Sequence, residues 1–399
     1  MSGLSAGGRA DSGGGDARTA LDVLTFGEVM VSFRTDGMLV SGAACTAHVA
    51  GTEGNVAIGL ARLGHSARWI GGLADDALGD FVASTLASEG VDVVRAPAQG
   101  RPAGVMLLQR RTADIARVAY VRKDSAASRL TSERVLAAFG PGVRRLHVTG
   151  VTPALSASAA EATLAAVQHA ASLGVPVSLD VNYRAALWSR QAARAALAEI
   201  VPYVDVVIAS EDELDLVVPA GLSDPSAPRA RAAETEHDTT APVGLRDPAG
   251  PRAGTPETEH DTADTLSPSE QPPGEPTKLP PGEPPDESPG EQALVDWLLQ
   301  RGCGEVVVKR GARGATLFRE GIRLDAPARE VSVVDVVGAG DAFTAGYLSG
   351  RLDGLSDADC LERGNVLGAF AVSTRGDWEG LPTRDELDLL TPGGRDVAR

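Results

Sequence analysis

The stretch Val333-Val-Asp335-Val-Val-Gly-Ala-Gly-Asp341-Ala-Phe-Thr-Ala-Gly-Tyr-Leu348 governs the reading of the whole chain. A glycine-rich turn runs directly into a small-residue, apolar stretch of helical character. Such a turn aims several backbone N–H groups, and the positive end of a helix dipole, at one point that suits an anion. Asp341 at its end has two readings. It caps the helix, or it takes a proton from an alcohol as a phosphoryl group is transferred.

Upstream of this turn, short apolar runs alternate with Ala/Leu-rich stretches of helical period. The runs are Val23–Phe26, Ala67–Ile70, Leu146–Val148, Val177–Leu179, Val204–Ile208 and Val306–Val308, and the helix candidates include Asn55–Leu63, Ala160–Leu173 and Ala192–Ile200. Strands alternating with helices predict an α/β fold with a mainly parallel sheet flanked by helices. Two segments break the alternation, one near 30–49 and one near 102–122. In the second, Val105–Gln109 and Arg117–Val121 read as a hairpin. Strands without crossover helices predict a small second β-sheet that serves as a lid.

Composition sets the bounds. Of 399 residues, 43% are hydrophobic and 23% charged, which suits a globular enzyme. The formal charge of −17 argues against a nucleic-acid binder, which needs clustered Lys and Arg. Residues 221–290 hold 14 acidic and 5 basic side chains, a net of −9 that leaves −8 for the rest. The same span holds 15 of the 25 prolines, no Ile, Met, Cys, Phe, Tyr or Trp, and short echoes, ETEHDT and PPGEP. It has too little apolar surface to offset ordering entropy. The expected layout is a disordered tail over 1–18, one α/β domain over 19–218 and 293–390 with its lid strands near 30–49 and 102–122, a disordered Pro-rich acidic insertion over 219–292, and a tail over 391–399. Cys45, Cys303 and Cys360 show no ligand spacing, the first residues lack an apolar leader core, and no apolar run is long enough to span a membrane. These features predict a cytoplasmic protein with no membrane partner.

The whole pattern DVVGAGDAF resembles the signature of ribokinase-like (PfkB) carbohydrate kinases, DTxGAGDxF, with Val336 in place of Thr. Ala50-Gly-Thr-Glu-Gly-Asn55-Val-Ala resembles that family's GGAxxNVA element, with Ala50 for the first glycine. The resemblance implies a ribokinase-like fold and a sugar kinase using ATP and Mg²⁺. Gly338, Ala339 and Gly340 then supply N–H groups to the transferring phosphate, and Asp341 is the base. Gly51 and Asn55 bind the sugar, against a plain N-cap-like role for Asn55. Gly71-Gly-Leu-Ala-Asp-Asp-Ala-Leu-Gly79 resembles a structural strand-to-helix turn of the family. Lys309, Arg310, Gly311, Ala312, Arg313 and Gly314 resemble the VVVKxGxxG segment that passes the nucleotide, and they also read as a hairpin turn. Ser210-Glu-Asp-Glu213 resembles the family's NxxE motif, in which Glu213 meets Mg²⁺ through water; an acidic helix start explains it as well.

Three further segments resemble the family's 2-dehydro-3-deoxygluconate kinases: Asp180-Val-Asn-Tyr-Arg184, Tyr120-Val-Arg122 with Ser125-Ala-Ala-Ser128, and Arg375-Gly-Asp377-Trp-Glu-Gly-Leu. By resemblance Asn182, Tyr183 and Arg184 lie near ATP, with Asn365 near adenine unless it is simply a helix-surface residue. Tyr120, Arg122, Arg184 and Asp377 lie near the substrate. Arginine suits a sugar-acid carboxylate, since its guanidinium is forked, although an arginine on a strand edge also reads as a solvated rim charge. The expected substrate is therefore a sugar acid, with a neutral sugar such as fructose or ribose as the alternative. A non-catalytic sugar sensor on the same fold, and a Rossmann dehydrogenase lacking its GxGxxG turn, are weaker readings. Family lids also pair between copies, so a homo-oligomer through the lid is a further expectation.

Overall fold

The computed structural model describes residues 20–98, 100–110, 116–140, 142–220 and 290–390. Its strands are β1 (Val23–Phe26), β2 (Met30–Asp36), β3 (Thr46–Ala50), β4 (Ala67–Gly72), β5 (Asp92–Ala96), β6 (Val105–Arg110), β7 (Ala116–Val121), β8 (Arg145–Thr149), β9 (Val177–Asp180), β10 (Val206–Ser210), β11 (Glu305–Lys309), β12 (Ala315–Arg319) and β13 (Ile322–Ala326). The helices are α1 (Thr52–Arg62), α2 (Ala77–Ser88), α3 (Ser132–Ala137), α4 (Ala157–Ser172), α5 (Arg190–Ile200), α6 (Glu291–Gln300), α7 (Ala339–Leu352) and α8 (Asp357–Val372). The expected insertion and both tails fall almost entirely on residues outside this description.

One sheet runs in the order β13-β12-β11-β10-β9-β8-β1-β4-β5. From β5 to β11 every pairing is parallel, and β12 and β13 close one edge antiparallel. Successive residues of a strand point to opposite faces, and the sequence uses both. Leu24, Ile70, Val207 and Val306 enter one core with α4, α5 and α6, whereas Val23, Trp69, Ile208 and Val307 enter the other with α1, α7 and α8. Burial on both faces is why these strands read as continuous apolar runs. Side chains fix several helix starts. Asp76 caps α2, Ser156 caps α4, Ser189 caps α5 and Ser356 caps α8, each accepting from a backbone N–H two or three residues on.

The second sheet, β3-β2-β6-β7, is the expected lid. β6 and β7 form the antiparallel hairpin, and β2 joins it in parallel. Ion pairs tie this sheet to the segment before α7 and to the segment after α8. Arg110 of β6 meets Asp335 at 2.5 Å, and Arg34 of β2 meets Asp377 at 3.2 Å and Glu379 at 2.9 Å. His48 of β3 also reaches Glu379, at 2.8 Å. A cavity of about 510 Å³ lies here, lined in part by Arg34, His48, Arg110, Asp335 and Arg375.

Four expected element starts need correction. Helix α4 begins at Ala157 rather than Ala160 and α5 at Arg190 rather than Ala192, each directly after its capping serine. The strand expected from Val204 begins at Val206, because Val201–Tyr203 winds into a 3₁₀ turn in which Val204 N–H bonds Val201. Helix α1 starts at Thr52 rather than Asn55, with Gly51 as its N-cap.

Candidate active site

Gly338 begins the site. It sits at φ 77°, the left-handed region, and a Cβ there would lie 2.0 Å from the Asp377 carbonyl oxygen. Both facts demand glycine. Gly338 is the N-cap of α7, and no side chain caps that helix start. Ala339 N–H makes a long bond to the Val336 carbonyl at 3.4 Å, so it is the first-turn N–H groups of Gly340 and Asp341 that are free of a side-chain cap and suit an anion at the mouth of the turn.

Asp341 lies in this first turn but does not cap it, so the capping reading is corrected. Its Oδ2 accepts from Asn55 Nδ2 at 2.7 Å, and its Oδ1 accepts from Asn182 Nδ2 at 3.2 Å. These donors come from α1 and from the segment just after β9, so three distant stretches converge on one carboxylate. Burial pushes the Asp341 pKa up to about 6; the Asn55 hydrogen bond opposes this, Asp180 adds to it, and Arg184 and Lys309 oppose it. A base in that range is ionised near neutrality yet still basic enough to take an alcohol proton.

Asn55 is not an N-cap. It is a buried residue of α1, one turn beyond Gly51, with its amide turned on Asp341. Gly51 itself is needed for close approach, since a Cβ there would meet the Glu28 carbonyl oxygen at 2.3 Å. Asn182 holds a positive φ of 40° and also donates to Thr52 Oγ1 at 3.3 Å. Tyr183 is used locally: its N–H donates to Glu213 at 2.7 Å and its hydroxyl to the Trp188 carbonyl at 3.0 Å. Glu213 accepts from Ser210 N–H with its other oxygen, at 2.9 Å, so it braces the ends of β9 and β10. Arg184 is exposed and donates to the Tyr183 carbonyl at 3.2 Å.

Lys309, at the end of β11, places Nζ 2.8 Å from both oxygens of Asp180. That nitrogen lies 3.4 Å from the position of a Cβ on Gly340, so the ammonium borders the glycine turn. Beyond Lys309 the chain makes the expected hairpin. A 3₁₀ turn over Gly311–Arg313 carries Ala312, and Arg310 N–H closes on the Gly314 carbonyl at 2.8 Å. The side chain of Arg310 is buried between Glu211, Glu291 and Thr316, and Arg313 pairs with Glu211.

At the lid, Arg122 pairs with the fully buried Glu28 at 2.5 Å and covers the Tyr120 ring at 5.5 Å. The rim-charge reading of Arg122 is thereby corrected. Glu28 accepts from Ser125 Oγ as well, at 2.5 Å. Asp377 is buried beneath Arg34; burial lifts its carboxyl to about 7, against Arg34 and with help from Glu379, Asp341 and Asp335. Asn365 is buried in α8 and donates to the Ala326 and Pro327 carbonyls at 3.0 and 3.1 Å, so it is no helix-surface residue. The sequence reading missed Glu28, Arg34, Arg110 and the pairing of Asp180. For Glu28 a signal existed, since it lies two residues past the end of the first strand, at the carboxyl edge where open α/β sheets bind ligands.

The family model described as pfkB family carbohydrate kinase matches residues 20–243 and 217–384 of this chain. The chain belongs to the pfkB family of carbohydrate kinases. It is a phosphotransferase enzyme acting on a small-molecule sugar. Among its pfkB relatives, the 2-dehydro-3-deoxygluconokinase of Bacillus subtilis (strain 168) is 33% identical over 94% of this chain and 97% of its own length. A PfkB protein from Polaromonas sp. JS666 superposes with a TM-score of 0.67 at 29% identity, covering 92% of this chain and 99% of that one. The 2-dehydro-3-deoxygluconokinase of Thermotoga maritima superposes with a TM-score of 0.68 at 22% identity, over 93% and 98% of the two chains, and shares the fold. The ribokinase-like fold is thus shared with these solved structures. No helix among the described residues is long and apolar enough to cross a membrane.

Proposed function

We propose that this pfkB kinase transfers the γ-phosphoryl group of ATP to a hydroxyl of 2-dehydro-3-deoxygluconate, giving the 6-phosphate. The observation that carries the chemistry is Asp341 held between Asn55 and Asn182 at the uncapped start of α7. The choice of substrate rests on the 33% identity to the Bacillus subtilis enzyme.

In this reading the residues divide the work by position. Asp341 accepts the hydroxyl proton. The amides of Gly338, Ala339 and Gly340 receive the charge of the phosphoryl group in transit, and Lys309 adds a cation beside them. Tyr120, Arg122, Arg184 and Asp377 lie toward the substrate, with Gly51 and Asn55 beneath it. The Lys309–Gly314 turn, Asn182, Tyr183 and Asn365 border the nucleotide. The uncapped donors of α7 and the open surroundings of Gly311 fit a polyphosphate. Among the described residues no group of three or more acidic, His or Cys side chains gathers as a metal cage. That fits Mg²⁺ carried mainly by phosphate and water, with Glu213 touching its hydration shell. When bound, ATP supplies the phosphoryl group and Mg²⁺ offsets its charge. Lid closure over the sugar excludes water and so limits hydrolysis.

The test is an ADP-release assay with ATP and Mg²⁺ across 2-dehydro-3-deoxygluconate, 2-dehydro-3-deoxygalactonate, fructose and ribose. Turnover is expected to favour the sugar acids and to fall about 100-fold or more in Asp341→Asn. Preference for fructose or ribose keeps the kinase and discards the acid substrate. Full turnover by Asp341→Asn removes Asp341 as the base.

A further inference from the structure

Beneath the glycine turn lies a buried polar group that the mechanism above leaves without a task. Asp180 ends β9 with no exposed surface. Its carboxylate accepts from Lys309 Nζ at 2.8 Å on each oxygen and from Thr344 Oγ1 of α7 at 2.8 Å on Oδ2. Three elements therefore meet on one carboxylate: the end of β9, the end of β11 and the second turn of α7. A carboxylate and an ammonium taken out of water together cost several kcal/mol per ion, so a buried pair adds little to stability by itself. A single orientation of the ammonium is what the arrangement secures. A lysine has four rotatable bonds and no planar fork, and gripping it at both oxygens fixes its tip. That tip borders Gly340, with the ammonium 3.4 Å from the point a Cβ would occupy.

We propose that Asp180 is a positioning residue, which aims the Lys309 ammonium at the glycine turn of α7 and thereby speeds phosphoryl transfer without binding either substrate. The proposal rests on the kinase reading above and adds to it a residue that touches neither sugar nor nucleotide. Because positioning acts on the transition state, removing it lowers kcat while leaving ground-state binding nearly intact.

Asp341 supplies a second readout. The charged groups around it are Glu53 from α1, Asp180 from β9, Arg184 beyond β9, Lys309 from β11 and Asp377 after α8. Asp180 raises the Asp341 pKa and Lys309 lowers it. Neutralising either one therefore displaces the acid limb of the rate profile, and the two displacements have opposite signs.

The experiment is a kinetic cycle of Asp180→Asn, Lys309→Met and the double variant, with kcat, both KM values and the pH profile of kcat/KM. Asp180→Asn is expected to lower kcat roughly 10-fold with both KM values within about 3-fold, and to move the acid limb to lower pH. Lys309→Met is expected to move it to higher pH, and the double variant to be no slower than Lys309→Met alone. Additive losses in kcat, KM values rising in step with the fall in kcat, or limbs moving the same way overturn the proposal. If Asp180→Asn does not fold, Thr344→Val keeps the ion pair and removes only its third contact. A loss of a few-fold in kcat that vanishes in the Lys309→Met background is then expected, and a loss that persists there overturns it. Asp341→Asn is run alongside. Should it turn over fully, the base assignment falls, while the kcat cycle still decides whether Asp180 acts through Lys309.

Discussion

At Asp341 two amide donors hold a carboxylate that burial would otherwise tend to protonate. The resulting pKa of about 6 sets the working range. On the proposed role of Asp341 as the base, which works only when ionised, kcat/KM is expected to fall about tenfold per pH unit below pH 6 and to level off above it, as a profile from pH 4.5 to 8.5 will show. An acid limb near pH 4, where an ordinary aspartate titrates, would mean that the site is wetter during turnover than its burial implies. Glu53 shares this environment. Burial lifts it to about 7, even though Thr149 and Thr152 donate to it, so two carboxyls with raised pKa values lie close together. The DVVGAGD turn was legible in the sequence because backbone geometry dictates it: only glycine fits at Gly338, and the aspartate follows at a fixed offset. Asp180 was legible only as part of a familiar string. Its partner, Lys309, stands 129 positions away, and no local pattern encodes such a pairing.

At the level of elements, the lid is held by side chains rather than by shared strands. Arg34 joins β2 to Asp377 and Glu379, and Arg110 joins β6 to Asp335, which opens the glycine turn. The lid is thereby tied to the loops that shape the anion site. Arg34→Ala leaves Asp377 buried without its cation, so the lid docks less well. The sugar KM is expected to rise about 10-fold while the ATP KM changes less than 3-fold, measured by varying each substrate in turn. Equal rises in both would point to general loosening of the fold. The hairpin of the lid could be read from its alternation, and the central strands from their apolar runs. Strands β5 and β13 were missed because each lies at an edge of the sheet, where Asp92, Arg95, Arg323 and Asp325 break the apolar pattern. The start of α1 was misread because Gly51 gives no side-chain cap.

Across the whole molecule, the acidic Pro-rich stretch falls in the connection from β10 to β11, between Val218 and α6, and those strands still pair in parallel along five residues. Its effect on closing the crossover grows only with the logarithm of its length, so a sheet this well paired tolerates it. The site is assembled from both sides of that connection: Asn55, Asp180 and Asn182 precede it, while Lys309, Gly338 and Asp341 follow it. A chain divided within residues 221–289 would thus yield two fragments, each with half of the chemistry and neither with a working base in its setting. Mixed or co-expressed, they are expected to regain turnover that neither shows alone, and failure to do so would mean that the connection itself holds the halves together. The enzyme then becomes a complementation reporter, whose signal counts the joining of its own two parts.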